Sequence, residues 1–417
     1  MIRRTSSDRI PWTMVFRALL PFALGYFMSY LFRAVNQVIA PDLIGEFDLS
    51  PGGLGRLTAA YLFGFVLFQL PLGVLLDRFG PRRVQAGLLL VSAAGAALFA
   101  LAPDPWSLTI ARGILGLGLS GCLMSAFKAN AVWLPMSRVA LGNSTTVAIG
   151  ALGVVAATRP ADWLAQLIGW RGMFDLLAAA TVGVALLIFF CVPKDGRSPR
   201  APAGGGESLA TQLRVVGRVL ADPVFWQVAP MVAALSGTFI AVQTLWAGRW
   251  LSNVANLDRA SVADVLLWMA IGFMIGALTT GWIADRAQRR GLTIELVVGC
   301  SFLAFAASQL LVILPVPIPP VLPWILFGFA GQASNLGYAT LAAHFGMGAA
   351  GRAQSMANLL LFAAAWALQW GIGEVLDRFP GAAAGAVDPA GYRWAFGIAL
   401  GLQTTAVAWY LRTKRRN

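Results

Sequence analysis

Long apolar stretches alternate with short polar ones along the whole chain. A stretch of ~20 apolar residues crosses a bilayer as one helix, and twelve stretches here meet that length. They cover residues 14–38, 54–76, 84–102, 107–129, 143–167 and 173–192 in the first half, and 225–248, 262–284, 292–314, 320–342, 354–376 and 393–411 in the second. The pattern predicts an all-α polytopic membrane protein with about twelve transmembrane helices.

One long polar stretch, residues 193–222, separates the two sets of six apolar segments. Its centre reads R-A-P-A-G-G-G-E-S, a composition typical of a flexible linker. The end of the stretch, from Leu209 to Leu220, has the spacing of a short amphipathic helix on the membrane surface. The sequence thus predicts an N-terminal six-helix bundle over 1–192, a cytosolic linker over 193–222 and a C-terminal six-helix bundle over 223–417.

Composition and charge support the membrane prediction. The chain is 58% hydrophobic and 12% charged, whereas soluble domains contain about 25% charged residues. The net charge of +13 does not indicate nucleic-acid binding, because the basic residues lie in short loops between apolar segments. That distribution marks the cytosolic side of a membrane protein, and it predicts that both termini are cytosolic.

A short acid-arginine motif occurs twice, at the same place in each half. Residues 73–83 read G-V-L-L-D-R-F-G-P-R-R, and residues 281–291 read G-W-I-A-D-R-A-Q-R-R-G. Asp285 follows Asp77 by 208 positions, half of the 417-residue chain. Repeats of this kind occur in secondary transporters whose halves arose by duplication of a helical bundle.

These motifs resemble those of the major facilitator superfamily. The loop after the second segment resembles the family's best-known motif, A-R-G-I-L-G-L-G from Ala111 resembles its pattern in segment four, and G-W-R at 169–171 is similar to its link between segments five and six. The resemblance implies two six-helix bundles with segments one, four, seven and ten around a central cavity. It also implies a role for Arg112 in substrate or proton coupling.

The repeated loop predicts a gating latch on the cytosolic side. Gly73 is expected to let two helices approach closely, and Asp77 to pair with an arginine or a neighbouring helix N-terminus. The alternative is that these charges only orient the protein in the membrane. The predicted latch residues are Gly73, Asp77, Arg78, Gly80, Arg83, Gly281, Asp285 and Arg286.

Polar residues within the segments are the candidates for substrate binding, because ionisable groups at membrane depth are costly and often functional. Arg33 and Asn36 are three residues apart in segment one and share a helix face, with Tyr30 one turn earlier. The alternative for Arg33 is that its side chain extends to the outer interface. In segments seven and ten the predicted binding residues are Gln243, Trp246, Gln332 and Asn335.

Segment five carries Arg159, Pro160 and Asp162. Drug-proton antiporters of the family usually have G-P-x-x-G-G here, so Arg159 and Asp162 weaken a drug-efflux function. Either the two charges neutralise each other, or Arg159 binds an anionic substrate and Asp162 carries a proton. Glu374 in segment eleven is a further candidate for proton coupling.

The function that these residues predict best is secondary active transport of a small organic or inorganic anion, with proton coupling as an option. Proton-coupled drug efflux is the alternative, and a polytopic membrane enzyme or receptor is disfavoured. Three cysteines, one histidine and no P-loop give no basis for a metal site, a cofactor or ATP hydrolysis. The expected location is the bacterial inner membrane, the expected partners are a small solute and membrane lipids, and the protein is expected to be a monomer.

Overall fold

The computed structural model describes residue 17 and residues 19–193, 209–381 and 387–414. The predicted cytosolic N-terminus and the centre of the predicted linker therefore lie outside the described residues. Within the described part, helix covers each of the twelve predicted segments, and the single β interaction is an isolated bridge between Pro380 and Val387. The all-α prediction is confirmed.

The helices of the first half have the following bounds: α1 Leu20–Ala34, α2 Asn36–Phe47, α3 Pro51–Leu101, α4 Pro105–Leu119, α5 Cys122–Trp133, α6 Met136–Ala156 and α7 Arg159–Cys191. The helices of the second half are α8 Leu209–Ala221, α9 Pro223–Ala241, α10 Ala247–Asn253, α11 Arg259–Arg289, α12 Ile294–Ile313, α13 Val321–Ala330, α14 Asn335–Leu376 and α15 Pro389–Lys414. A π-helix, Val242–Trp246, joins α9 to α10, and a 3₁₀ turn, Gly331–Ser334, joins α13 to α14.

Three of these helices are interrupted by a glycine with non-helical backbone angles. In α3 the interruption is Gly80, with φ 75° and ψ 161°, a conformation that costs a residue with a Cβ atom much more than glycine. Gly169 in α7 and Gly346 in α14 break their helices in the same way, with φ 75° and 61°. Helix α3 therefore contains predicted segments two and three, whereas α7 and α14 each contain the end of one predicted segment and all or most of the next.

Nine helices among the described residues are long and apolar enough to cross a membrane by length and composition. A tenth apolar helix, Val321–Ala330, is shorter because the 3₁₀ turn interrupts the predicted segment ten. Segment one is similarly divided at Val35, which lies in a turn between α1 and α2. The exact number of spans stays a prediction.

The chain forms two compact units. One contains residues up to Arg33 and residues 63–206, and the other contains residues 34–62 and 207–417. In the second unit α9 packs chiefly on α14, and α11 packs on α13. The stretch 34–62, named here the crossing segment, packs with helices of the second half of the chain, and no sequence pattern indicated this.

Each unit contains several very close helix contacts at glycines, and two of these glycines, Gly64 and Gly272, are 208 residues apart in the chain. A Cβ atom on Gly64 would collide with the carbonyl oxygen of Gly113, and one on Gly272 would lie 2.6 Å from the carbonyl oxygen of Ile325. Small residues let membrane helices pack backbone against backbone. The repeated loop and this repeated contact therefore have the same spacing along the chain.

Candidate functional site

In the first unit, Arg33 lies near the end of α1 and is only 8% exposed. Its guanidinium carbon lies 4.6 Å from the centre of the Tyr30 ring and 5.7 Å from that of Phe65. Tyr30 in turn packs edge-on against Tyr26, with ring centres 4.9 Å apart. Arg33 is therefore buried among aromatic rings rather than extended to an interface. The predicted alternative of an interfacial arginine does not describe this position.

Arg112 on α4 is fully buried and its position indicates a structural role. Its Nη2 donates to the carbonyl oxygen of Phe32 at 2.8 Å, two residues before α1 ends. A cation at the C-terminal end of a helix stabilises the carbonyl groups that lack intrahelical partners. The coupling role implied by the family resemblance stays a prediction, and the observed bond shows that Arg112 also supports the end of α1.

Asp162 is 1% exposed and lies in the first turn of α7, directly after the break at Ala157 and Thr158. Its Oδ2 accepts a hydrogen bond from Gln166 Nε2 at 2.7 Å, whereas Arg159 Nη1 is 3.8 Å away. Arg159 is 44% exposed at its side chain. The ion pair is therefore long, and the amide of Gln166 is the nearer partner of the buried carboxylate.

The second unit contains a buried amide cluster, defined by Asn36, Gln37, Gln243 and Gln369. Asn36 Nδ2 donates to Thr58 Oγ1 at 3.1 Å. Thr244 Oγ1 lies 3.1 Å from Gln369 Oε1. Among the described residues, both polar atoms of Gln37 and one each of Asn36, Gln243 and Gln369 have no hydrogen-bond partner. Unsatisfied buried amides are costly, so these positions are suited to a polar ligand or water.

The π-helix places this cluster differently from a regular helix. The predicted binding residues Gln243 and Trp246 both lie within the wider π turn. Trp246 is 1% exposed and its Nε1 donates to the carbonyl oxygen of Gln369 at 3.0 Å. Single π turns are frequent at functional sites. Trp246 therefore anchors α14, and its role in substrate binding stays a prediction.

The other predicted site residues are more scattered. Gln332 is 8% exposed in the 3₁₀ turn, and the side chain of Asn335 lies outside the described set. Glu374 is exposed, and its Oε1 accepts a hydrogen bond from Trp370 Nε1 at 2.6 Å. None of these positions contradicts a role in binding or coupling, and those roles stay predictions.

The repeated loop differs from its predicted arrangement in two ways. Asp77 pairs with Lys128, whose Nζ lies 2.6 Å from Oδ1 of Asp77 and 2.7 Å from the carbonyl oxygen of Leu76. The prediction that Asp77 pairs with an arginine or a helix N-terminus was wrong, because α5 brings Lys128 to this helix end. A Cβ atom on Gly73 would meet no described atom within 4 Å, so the expectation of close helix approach there was also wrong.

The arginines of the loop make different contacts. Arg78 lies over the Phe79 ring at 5.2 Å. Arg82, which was not among the predicted latch residues, donates from Nε to the carbonyl oxygen of Phe189 at 2.8 Å. Arg83 is exposed. In the second copy Asp285 pairs with Arg289 at 2.9 Å, one turn later, and Arg286 lies over Trp282 at 5.8 Å. Gly281 lies in α11, and its packing lies outside the described part of the structure.

Several hydrogen bonds that were not predicted from the sequence hold the crossing segment to the second half of the chain. Asp42 accepts two hydrogen bonds from Arg259, at 2.7 and 2.9 Å. Asp377 Oδ1 accepts from the backbone N–H of Gly52 at 3.0 Å, while Ser50 Oγ accepts from that of Gly53 at 3.1 Å. Asp377, which lies in the turn after α14, thus caps the N-terminus of α3. The sequence offered one indication of these contacts, which is that Asp42 and Asp377 lie just outside the apolar segments.

A family model described as Major Facilitator Superfamily matches residues 22–369. The chain belongs to this family. Members are transporters, and the described structure and the relatives agree that this one is a multi-pass membrane transporter of small solutes.

Two curated transporters and one solved transporter structure are among the proteins similar to this chain. A probable sulfoacetate transporter of Cupriavidus necator is 24% identical over 302 residues, which is 70% of each chain. The hexuronate transporter of Escherichia coli is 23% identical over 376 residues, covering 85% of this chain and 86% of the relative. Among solved structures, a bacterial homologue of the human lysosomal transporter Spinster aligns with a TM-score of 0.77 at 18% identity and covers 98% of both chains. At this sequence identity, the similarity to the Spinster homologue shows a shared fold alone.

Proposed function

We propose that this family member is a secondary active transporter of a small organic anion that carries a carboxylate or a similar planar oxyanion. The observation that carries the proposal is the burial of Arg33 in α1, at 8% exposure. A buried guanidinium is expensive to keep inside a membrane bundle unless it has a function there. The names of the two relatives above, sulfoacetate and hexuronate, denote organic anions and agree with this class.

The surroundings of Arg33 suit recognition of a planar anion. Tyr30 and Phe65 lie 4.6 and 5.7 Å from its guanidinium carbon, and aromatic rings next to a guanidinium restrict its orientation. The N–H groups of a guanidinium point outward in its plane, and a carboxylate binds there through two parallel bonds. Lysine offers a single point charge and cannot reproduce this geometry.

The buried amides of the second unit are a separate reason to favour a polar solute. Asn36 and Gln37 lie three and four residues after Arg33 in the chain and are 0% and 3% exposed. Gln243 has one unpartnered amide atom among the described residues. A solute with hydroxyl or carbonyl groups satisfies such amides, whereas a purely apolar solute leaves them unsatisfied. This property favours a polar organic anion over an apolar drug.

Transport requires the crossing segment to change its contacts. We expect the two predicted bundles, 1–192 and 223–417, to alternate in access, with the loop around Asp77 on the cytosolic side and the Asp42 and Asp377 ties on the outer side. The location proposed is the bacterial inner membrane, with cytosolic termini, as the arginine distribution favours. Asp162 is the proposed proton carrier because its carboxylate is buried at 1% exposure.

The experiment that tests the substrate class uses purified protein in proteoliposomes. Uptake is measured for sulfonates, hexuronates and aromatic carboxylates, each next to a neutral analogue of similar size, such as the corresponding amide. The proposal predicts saturable uptake of at least one anion and none of its neutral analogue. Uptake of the neutral analogues at equal rates, or of hydrophobic cations alone, would contradict it. An imposed pH gradient that does not change the uptake rate would remove the proton-coupling part.

A further inference from the structure

The end of the linker forms a basic surface next to two exposed indole rings. Helix α8 presents Arg214 and Arg218 on one side, four residues apart and both exposed, while Val215 and Val219 are buried at 7% and 1% exposure. Residues four apart lie on the same helix face. Helix α8 therefore packs with Val215 and Val219 on the protein and keeps both of these arginines outward.

Two tryptophans border this helix. Trp226 is 45% exposed, and its Nε1 donates to the carbonyl oxygen of Leu220 at 2.8 Å. Trp409 is 53% exposed, and its Nε1 donates to the carbonyl oxygen of Trp226 at 3.1 Å. Their ring nitrogens are thus bonded to the backbone, and their carbon faces are exposed. Indole rings in this state are enriched at the boundary between headgroups and acyl chains.

A third arginine extends the same region. Arg412 follows Trp409 by three residues on α15 and is exposed. In the part of the chain that the structure describes, Arg214, Arg218 and Arg412 form no ion pair with an acidic side chain. The surface therefore combines three uncompensated positive charges with two apolar rings that belong at the membrane boundary.

We propose that this surface, made of Arg214, Arg218, Trp226, Trp409 and Arg412, binds the headgroups of anionic phospholipids on the cytosolic leaflet. The charges are complementary to the phosphodiester, and the indole rings place the surface at the depth of the glycerol region. Each basic residue next to a bilayer strengthens the attraction to anionic lipid. Two arginines together should therefore raise the affinity for anionic lipid roughly tenfold or more. The lipid holds the end of the linker, and with it the start of α9, against the membrane.

The test measures lipid binding by the full-length, delipidated protein with native mass spectrometry. Phosphatidylglycerol and phosphatidylcholine with identical acyl chains are titrated separately, and the first binding constant of each is compared. The wild type is expected to prefer phosphatidylglycerol by about tenfold. The R214Q/R218Q variant is expected to lose that preference, and the charge-retaining R214K/R218K variant to keep most of it.

The matched control is R378Q/R393Q, which removes two exposed arginines, one from the turn after α14 and one from the start of α15. It lowers the net charge by the same amount and is expected to bind phosphatidylglycerol like the wild type. Equal loss in the control would show that only net charge matters and would overturn the proposal. An unchanged preference in R214Q/R218Q would overturn it too. Competition by soluble glycerol phosphate at equal concentration would show a free-phosphate site instead of a lipid surface.

Discussion

Arg259, the first residue of α11, donates two parallel hydrogen bonds to the carboxylate of Asp42 on α2, at 2.7 and 2.9 Å. The two residues are 217 positions apart in the chain, and both side chains are about one-third exposed, at 32% and 30%. The pair fixes the crossing segment to the second half of the chain. Because solvent reaches it, its contribution is modest, at ~1 kcal/mol or less. A tie of this strength holds one conformation without preventing its release.

We expect Asp42→Asn to loosen the crossing segment. In a background without Cys122, Cys191 and Cys300, Ala40→Cys provides a probe at a position that is 0% exposed. Loss of such an ion pair should raise the population in which the crossing segment is detached from α11 by up to about fivefold. Labelling of Cys at position 40 by a membrane-impermeant maleimide should accelerate by the same factor. Arg259→Gln should have the same effect, and the double variant should add little to it.

The control for that labelling experiment is Asp48→Asn. Asp48 lies on the same segment at φ 49°, a conformation that asparagine tolerates well, and it has no hydrogen bond among the described contacts. Its labelling rate should equal that of the parent. Equal acceleration by Asp42→Asn and Asp48→Asn would show a general charge effect rather than a tie.

Asp77→Asn and Lys128→Gln should reduce transport to a similar extent. The two groups are 2.6 Å apart, so either change breaks the same ion pair, and the double variant should be no worse than the single ones. Arg56→Gln, which removes an exposed charge elsewhere in α3, should retain most of the activity. Initial uptake rates per amount of reconstituted protein give the comparison. Strictly multiplicative losses in the double variant would show that the two residues act independently.

Gly64→Ala and Gly272→Ala should each destabilise the protein by ~1–3 kcal/mol, because the added methyl group overpacks a backbone contact. Gly87→Ala and Gly299→Ala lie in helices where a Cβ atom would meet nothing within 4 Å, so they should be neutral or slightly stabilising. Thermal unfolding in one detergent measures all four. If the four variants unfold at the same temperature, the close contacts at Gly64 and Gly272 do not limit stability.

The pair of Asp222 and His344 should give stability that depends on pH. Partial burial acts to raise the pKa of Asp222, but hydrogen bonds from His344 and from the backbone N–H of Val224 outweigh it and lower that pKa. A carboxyl group with a lowered pKa in the folded state stabilises the protein above its unfolded pKa of ~3.9, and this stabilisation is lost as the pH falls through the folded value.

Asp222→Asn keeps a residue suited to the N-terminus of α9 and removes the charge. Its melting temperature should therefore fall below that of the wild type at pH 7, and the difference should shrink once the pH falls below ~4. His344→Gln should lower the melting temperature at pH 7 as well. If the difference in melting temperature between Asp222→Asn and wild type is constant from pH 7 to acid conditions, the charge of Asp222 is not the source of the stabilisation.

The sequence predicted the helical fold well because its main signal is physical and local. Each apolar segment had to become a helix, since the bilayer leaves backbone groups no other partner. The duplication was visible in Asp77 and Asp285, and the contacts at Gly64 and Gly272 have the same spacing. The break at Val35 and the π turn at Gln243 could not be predicted, because hydropathy does not report local changes in helical pitch.

The candidate site was predicted in part. Arg33 and Asp162 were identified by charge within an apolar segment, and both are buried in the structure. Lys128 was not among the predicted site residues, and it pairs with Asp77. The partnership of Asp42 with Arg259, and of Asp377 with Gly52, joins residues more than two hundred positions apart. Only the folded chain brings them together, so spacing along the sequence carried no signal for them.

The most direct test of organic-anion transport compares wild type, Arg33→Lys and Arg56→Lys in proteoliposomes, using an anion that the wild type accumulates. Arg56 is exposed, so Arg56→Lys controls for the chemical change alone. Arg33→Lys keeps the charge but loses the second parallel bond, and a charge-assisted bond of ~1.5–3 kcal/mol corresponds to a rise in the half-saturating concentration of at least tenfold. The account predicts that rise for Arg33→Lys, with Arg56→Lys unchanged. Equal half-saturating concentrations in all three proteins would contradict it.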